Sequence, residues 1–291
     1  GIVVPVLEGT LDHLQLPCEA EFQAVRNQAV FSGKRGEVYR FTALRTGRMI
    51  QYFLLGLGKS VSLETMLHSC AAVYRQCHDM RLSRVLTDLR GLETLTPDLL
   101  KKSAEAMYLS GYHFDKYKFE PDPDGVQEAA FCCDVQEGYQ RALNEAVVCG
   151  KAACMARDLI NEPPTVMTPE KLAEAAGEIL AGTPVQVTIY GREQIRKLGL
   201  TAFLEVGKGS IQEPKLIVMK YDGDPAHPER RLGLIGKGLT YDSGGYSLQS
   251  SEFMETMQHD MSGGAAVICA LWAAQSRCLA LNVTGIGAGC E

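Results

Sequence analysis

The stretch "RLGLIGKGLTYDSGGYSLQ", residues 231–249, joins an apolar run typical of a strand to a polar loop that contains a pair of glycines. Lys237 directly follows the run "RLGLIG", and Asp242 comes five residues later. Three chemistries could use such a loop: a serine nucleophile at Ser243, a phosphate-binding loop or a metal site. Ligands of α/β proteins bind where loops meet beyond the ends of strands. The segment is therefore the first candidate for a functional site.

The sequence on either side of this loop alternates between strand-like and helix-like runs. A helix is predicted at Thr168-Pro169, because threonine caps a helix and proline fits its first position. Further helices are predicted at "REQIRKLG" and "GGAAVICALWAAQS", and strands at "VQVTIY", "KLIVMKY", "RLGLIG" and "LNVTGIGAG". This alternation predicts an α/β sheet that is covered on both faces.

The sequence pattern of the first half of the chain predicts a second α/β domain. Its strands are "GIVVPVL", "VYRFTAL", "MIQYFLLGLG" and "RLSRVLTDL", and its helices cover residues 63–80 and 96–108. The segment "EPDPDG" is typical of a domain boundary, since proline and aspartate favour turns. We therefore expect a smaller N-terminal α/β domain over residues 1–125, a linker and connecting helix over 126–160, and a second domain over 161–291.

Composition narrows the possible partners. The 291 residues carry 29 basic and 35 acidic side chains, a net charge of −6, without a block of like charges. This argues against nucleic acid as the main partner. We also find no apolar run near the roughly 18 residues that a membrane span needs, and no signal-peptide pattern. The ten cysteines never form C-x-x-C, so we expect reduced thiols in the core of a cytoplasmic protein.

Three known motifs match the sequence in part, but each lacks one residue that the motif requires. The phosphate-loop pattern ending at "GKS" needs a glycine where Phe53 stands. A calcium loop beginning at Glu120, in which Asp122 and Asp124 precede Gly125, needs a glutamate where Phe131 stands. Both serine-nucleophile patterns around Ser243 need a glycine where Tyr241 stands. The metal site is the chemistry that these tests leave open.

Two carboxylates and one amine could form part of such a site. Asp260 comes 18 residues after Asp242 and directly precedes "MSGGAAV", whose glycines permit close backbone approach. Neighbouring loops could therefore bring Asp242, Asp260 and Lys237 together near a metal pair that activates water. Lys237 could bind a metal only after losing its proton, which a divalent cation can displace.

The segments "GKGLTYDSGGYSLQ…METMQHDMSGGAA" and "ARDLINEPPTVMTPEKLAE" closely resemble the leucyl aminopeptidase (cytosol aminopeptidase) family of di-metal peptidases. The resemblance is dense from Tyr139 onward and looser before it. It implies a smaller N-terminal α/β domain followed by a mixed-sheet α/β catalytic domain, of which this chain would contain the first part. It also implies a peptide substrate, two divalent ions (zinc or manganese) and assembly as a homo-hexamer.

The resemblance assigns roles to individual residues. It implies that Lys237, Asp242 and Asp260 are metal ligands and that Asp242 bridges the two ions. It places Met257 in the pocket for the N-terminal side chain of the substrate. His259 adjoins Asp260, but the family does not use that position as a ligand, and we interpret it as structural.

The sequence departs from the family in two places. Gln249 stands where the family has a second lysine, thought to stabilise the reacting carbonyl oxygen, and a lost donor of this kind costs about 10²–10³ in rate. The N-T-D-A-E-G-R segment, which supplies further ligands in the family, would lie beyond Glu291. Three side chains cannot complete the coordination of two ions. We therefore expect weak metal binding and no useful peptidase activity from these 291 residues.

Two functions remain open at this point. The leading hypothesis is a cytoplasmic metallo-aminopeptidase, with Lys237, Asp242 and Asp260 helping to hold the ions. The alternative is a catalytically dead relative with a structural or regulatory role, which Gln249 favours and the three retained ligand positions oppose.

Overall fold

The structure is a computed structural model that describes residues 1–122 and 125–291. These residues form two compact units, Gly1–Gly150 and Lys151–Glu291. A long helix, Tyr139–Asn161, contains residues of both. The predicted boundary segment includes Pro123 and Asp124, which lie outside the described residues, and the division at residues 125 and 160 stays a prediction.

The first unit is built on a five-stranded sheet with the strand order β2-β3-β1-β4-β5. Strands β2 and β3 form an antiparallel hairpin, and the other neighbouring strands are parallel. The strands are β1 (Ile2–Val6), β2 (Val38–Arg45), β3 (Arg48–Gly56), β4 (Arg84–Asp88) and β5 (Glu128–Cys132), and the helices are α1 (Glu19–Asn27), α2 (Leu63–Asp79) and α3 (Pro97–Ser110).

Alternation along the strands fills a core on each face of this sheet. Val3 and Phe53 pack in one cluster with α2 and α3, whereas Val4 and Leu54 pack in another with α1. Successive side chains of a strand point to opposite faces. Helix α1 therefore covers one face, and α2 and α3 cover the other.

The second unit is built on a four-stranded mixed sheet with the strand order β6-β7-β9-β8. Strands β8 and β9 are parallel, and the other pairs are antiparallel. The elements in chain order are α4 (Tyr139–Asn161, its second half), α5 (Pro169–Ile179), β6 (Gln186–Tyr190), α6 (Arg192–Lys197), α7 (Thr201–Val206), β7 (Lys215–Asp222), β8 (Arg231–Leu239), α8 (Ser251–Met254), α9 (Ser262–Ser276) and β9 (Asn282–Cys290).

The core of the second unit lies mainly on one face of its sheet. Leu172 of α5 and Ile268 of α9 are fully buried there against Ile217 and Met219 of β7. A smaller cluster around Ile195 of α6 covers part of the other face. The expected α/β fold class, with a mixed sheet in the second unit, is confirmed.

Most predicted elements are present, and the predicted helix caps are confirmed. The hydroxyls of Thr96 and Thr168 each accept a hydrogen bond from the backbone N–H three residues later, at 3.3 Å, and proline follows in both cases. Helix α1 and strand β5 were not predicted. In residues 1–122 and 125–291, no helix is both long and apolar enough to cross a membrane.

Asn282, at the start of β9, fixes the loop between β7 and β8. The two N–H groups of its side-chain amide are shared among the carbonyls of Asp224, His227 and Arg230, at 2.9, 2.9 and 3.2 Å. Its oxygen accepts from the N–H of Asp224 at 3.0 Å. The residue is almost fully buried. Since buried polar groups are costly unless paired, this one side chain holds the chain in position where it enters β8.

We expect Asn282→Asp to destabilise the protein by about 3 kcal/mol, because an oxygen would then face three carbonyl oxygens in a buried place. Asn144→Asp, on the exposed side of α4, is the matched control and should change stability by less than about 0.5 kcal/mol. Urea unfolding followed by circular dichroism measures both. Equal stability of the two variants would contradict this role of Asn282.

Candidate metal centre

Lys237 lies close to the end of β8, where the strand pairs in parallel with β9. In this register Lys237 is opposite Ala288, and Leu239 is opposite Cys290. The glycines on either side of Lys237 are buried, whereas its own side chain is 53 % exposed. The amine is therefore accessible to the loop that follows the strand.

Two carboxylates converge on this amine. Oδ2 of Asp242 lies 3.1 Å from Nζ of Lys237, and Oδ2 of Asp260 lies 2.6 Å from the same nitrogen. Asp242 is in the loop after β8, and Asp260 is in a short 3-10 helix, Met257–Met261, that leads into α9. The structure thus brings the three residues together from two segments separated in sequence.

Glycines make this convergence possible. A Cβ atom added to Gly236 would lie 2.2 Å from the carbonyl oxygen of Gly263, and one added to Gly263 would lie 2.8 Å from the backbone nitrogen of Lys237. Side chains at these positions would push the first turn of α9 away from β8. Close backbone contact between strand and helix therefore sets the distance from Asp260 to Lys237.

The loop after β8 needs its paired glycines for a different reason. Gly244 and Gly245 have φ angles of +79° and +76°, which side chains disfavour. Tyr246 and Ser247 continue in the same left-handed region, at +53° and +56°. The N–H of Gly244 donates to Oδ1 of Asp242 at 2.7 Å. This turn therefore fixes one oxygen of Asp242 and leaves the other beside Lys237.

Charge within the cluster is unevenly distributed between the carboxylates. Burial opposes ionisation of Asp242, but the Gly244 N–H, Asp260 and the Lys237 ammonium outweigh it, so the pKa of Asp242 lies below its usual value. Burial raises the pKa of Asp260, and the neighbouring Asp242 carboxylate adds to that rise. The Asp260 carboxylate in turn raises the pKa of Lys237. Without another cation, the lysine ammonium balances the two acids.

The cluster fits a cation in part. Oδ2 of Asp260 is buried and contacts the Lys237 amine at 2.6 Å. A buried carboxylate oxygen that contacts a cation is suited to a metal ion. However, no group of three histidine, cysteine or acidic side chains arranged for a metal occurs in the described part of the chain. Two carboxylates and one amine are an incomplete ligand set.

The other predicted site residues lie around a neighbouring part of the loop. The amide nitrogen of Gln249 is 3.9 Å from the sulfur of Met257, and both side chains are partly buried. His259 is exposed, and its ring contacts the adjacent Gln258 at 3.3 Å. Gln249 and Met257 are thus neighbours of each other, and the contacts of His259 give it no part in the ion-pair cluster.

Sequence reasoning missed Cys290, which lies beside the cluster. The thiol is 1 % exposed, and burial raises its pKa to about 11, with the Asp242 carboxylate adding to the effect. The N–H of Thr240 donates to the carbonyl of Cys290 at 2.9 Å and fixes the start of the loop. Only the register of β8 against β9 reveals this proximity, and a single sequence does not specify that register.

Comparisons with known proteins match two family models over most of the chain. Residues 7–121 match the model of the "Cytosol aminopeptidase family, N-terminal domain", and residues 154–291 match that of the "Cytosol aminopeptidase family, catalytic domain". The probable cytosol aminopeptidases of Clostridium perfringens and Alkaliphilus oremlandii are 32 % and 34 % identical to this chain. Each alignment covers the whole chain but 61 % of the relative.

A solved structure supports the same relationship. The "Bottromycin maturation enzyme BotP in complex with Mn" superposes with a TM-score of 0.83 at 27 % identity, over 100 % of this chain and 59 % of that one. Both domains match in the expected order, and the ion-pair cluster lies within the part that matches the catalytic domain. The chain therefore belongs to the cytosol aminopeptidase family.

Proposed function

We propose that the protein acts as a metal-dependent aminopeptidase of the leucyl type, which removes N-terminal residues from peptides. The observation that carries this proposal is the convergence of Asp242 and Asp260 on Lys237, at 3.1 and 2.6 Å, inside a chain of this family. The chain spans 61 % of the length of these two relatives, and the activity is proposed for a protein of their full length.

The cofactor we propose is a divalent metal ion, with manganese as the first candidate because BotP has been solved with it. Zinc as an alternative, two ions per site, homo-hexameric assembly and a cytoplasmic location are proposals that rest on the family resemblance. When bound, such ions polarise the scissile carbonyl and lower the pKa of a water molecule.

The residues of this chain would prepare the site in distinct ways. One oxygen of Asp242 accepts from the Gly244 N–H, and the other lies beside Lys237, where it would be a metal ligand. Lys237 neutralises the two acids and, once deprotonated, would offer a nitrogen ligand. Met257 would contact the N-terminal side chain of the substrate. Gln249 would offer an uncharged hydrogen-bond donor where a lysine would offer a cation.

Gln249 favours a second candidate function, a catalytically dead relative with a structural or regulatory role. A neutral amide stabilises developing negative charge less well than an ammonium. The retained cluster of Lys237, Asp242 and Asp260 favours the enzyme, since a protein without metal chemistry gains little from two carboxylates held in a partly buried place. A protein of the full length of the relatives, assayed with Gln249 in place, distinguishes the two.

We expect the 291-residue chain to bind Mn²⁺ weakly and through this cluster. Asp260→Asn and Asp242→Asn should each weaken Mn²⁺ binding by at least about tenfold, because each removes a charged donor. Electron paramagnetic resonance of free Mn²⁺ during a titration measures this affinity. Asp222→Asn is the control: its exposed ion pair with Arg231 lies about 20 Å from Lys237 along β8. Unchanged binding in Asp260→Asn would contradict the assignment.

We expect the purified 291-residue chain to show no useful hydrolysis of leucine p-nitroanilide at saturating Mn²⁺, because three donors leave the coordination of two ions incomplete. Gln249→Lys should not restore activity in this chain, since the added charge supplies no metal ligand. Rapid turnover by the unmodified chain that a chelator abolishes would show that its own residues complete the site, and would overturn this prediction.

A further inference from the structure

The first unit contains a cleft that the metal centre does not explain. It has a volume of about 510 Å³ and lies where β1 and β4 end. One wall is formed by the end of β1 and the loop after it, and the other by Asp88 and the loop after β4. All of its lining residues belong to the first unit.

Strand order explains why a cleft forms at this point. Strands β1 and β4 are parallel neighbours in the centre of the sheet, so their carboxyl ends meet at one edge. The chain leaves β1 toward α1 on one face, and it leaves β4 toward α3 on the opposite face. Where the loops after two neighbouring strands run toward opposite faces of the sheet, a crevice forms between them, and α/β sheets bind ligands in such crevices.

Both walls are held in place by hydrogen bonds. Arg26 of α1 donates from Nη2 to the carbonyls of Leu11 and Leu14 in the loop after β1, the first at 3.2 Å. On the opposite wall, the N–H of Leu89 donates to the carbonyl of Cys132 in β5 at 2.8 Å. The cleft is therefore formed in advance, as a specific binding site requires.

Arg90 presents a fixed guanidinium at this cleft. Its Nε and Nη2 donate to the two carboxylate oxygens of Asp88 at 2.9 and 2.6 Å. Asp88 is 14 % exposed, which restricts the pair further. A guanidinium has five N–H groups, and the other three find no acceptor in residues 1–122 and 125–291. They are available to a carboxylate of a ligand.

The cleft also offers a negative charge and an apolar lining. Glu93 lines it, is exposed, and forms no ion pair with any residue that the structure describes. The partly exposed apolar lining of the cleft consists of Leu7 and Leu14, and Leu14 approaches Gly91 of the opposite wall. A cation, an anion and an apolar surface therefore share one small cleft.

From this juxtaposition we propose that the cleft between the ends of β1 and β4 binds a zwitterionic amino acid with an apolar side chain, or a short peptide of the same character. Its carboxylate pairs with Arg90, its ammonium with Glu93, and its side chain packs against Leu14. A phosphate ligand fits less well, because Asp88 and Glu93 would repel a dianion, whereas the ammonium of a zwitterion offsets that repulsion.

The test is calorimetric titration of the 291-residue chain after removal of metal, so that the proposed peptidase site does not contribute. L-Leucine is the probe. Leucinamide lacks the carboxylate, 4-methylpentanoate lacks the ammonium, and inorganic phosphate represents the competing ligand class. We expect L-leucine to bind at least tenfold more tightly than each of the other three. Equal binding of L-leucine and 4-methylpentanoate, tighter binding of phosphate, or no heat with L-leucine would overturn the proposal.

Three variants test whether L-leucine binds in this cleft. Glu93→Gln should weaken L-leucine binding at least tenfold without harming the fold, since Glu93 is exposed and unpaired. Arg90→Lys keeps the charge but loses the two-point contact with Asp88. This variant should also weaken L-leucine binding. Glu64→Gln, an exposed acid of the same unit outside the cleft, is the control. Binding that survives Glu93→Gln would place the ligand elsewhere and contradict the proposal. The result is independent of the proposed peptidase function.

Discussion

The candidate metal centre depends on one packing constraint: the first turn of α9 lies directly against the backbone of β8. Gly236 and Gly263 meet at distances that leave no space for a Cβ atom. This contact brings Asp260, from the segment before α9, within 2.6 Å of the amine at the end of β8. Neither the strand nor the helix could place the carboxylate there alone. The glycines thus convert an ordinary α/β packing arrangement into a charged site.

Holding two carboxylates close together opposes stability, and the protein compensates locally. The Gly244 N–H and the Lys237 ammonium stabilise the ionised form of Asp242, while burial leaves Asp260 with a raised pKa even though its Oδ2 contacts the Lys237 ammonium. Carboxylates with shifted pKa values that lie close together are common at functional sites. The Lys237 amine contacts both carboxylates at once, and a divalent cation in its place would carry twice the charge toward them.

The sequence predicted what depends on local pattern and missed what depends on strand order. Proline and threonine at residues 96–97 and 168–169 defined two helix starts, and the spacing of Lys237 and Asp242 indicated a loop at a strand end. The nine-residue helix α1 escaped notice because its N-cap, Cys18, makes no side-chain cap and few of its residues are apolar. Cys290 and the cleft at Arg90 were missed because each requires knowledge of which strands are neighbours.

The most direct measurement compares the Mn²⁺ affinity of two variants of β8, Gly236→Ala and Gly233→Ala. A Cβ atom at position 236 would lie 2.2 Å from a backbone oxygen at the start of α9, whereas one at position 233 would meet nothing within 4 Å. If close packing builds the site, Gly236→Ala should weaken Mn²⁺ binding at least tenfold and Gly233→Ala should leave it unchanged. Equal affinity in both variants and the unmodified chain would contradict the account.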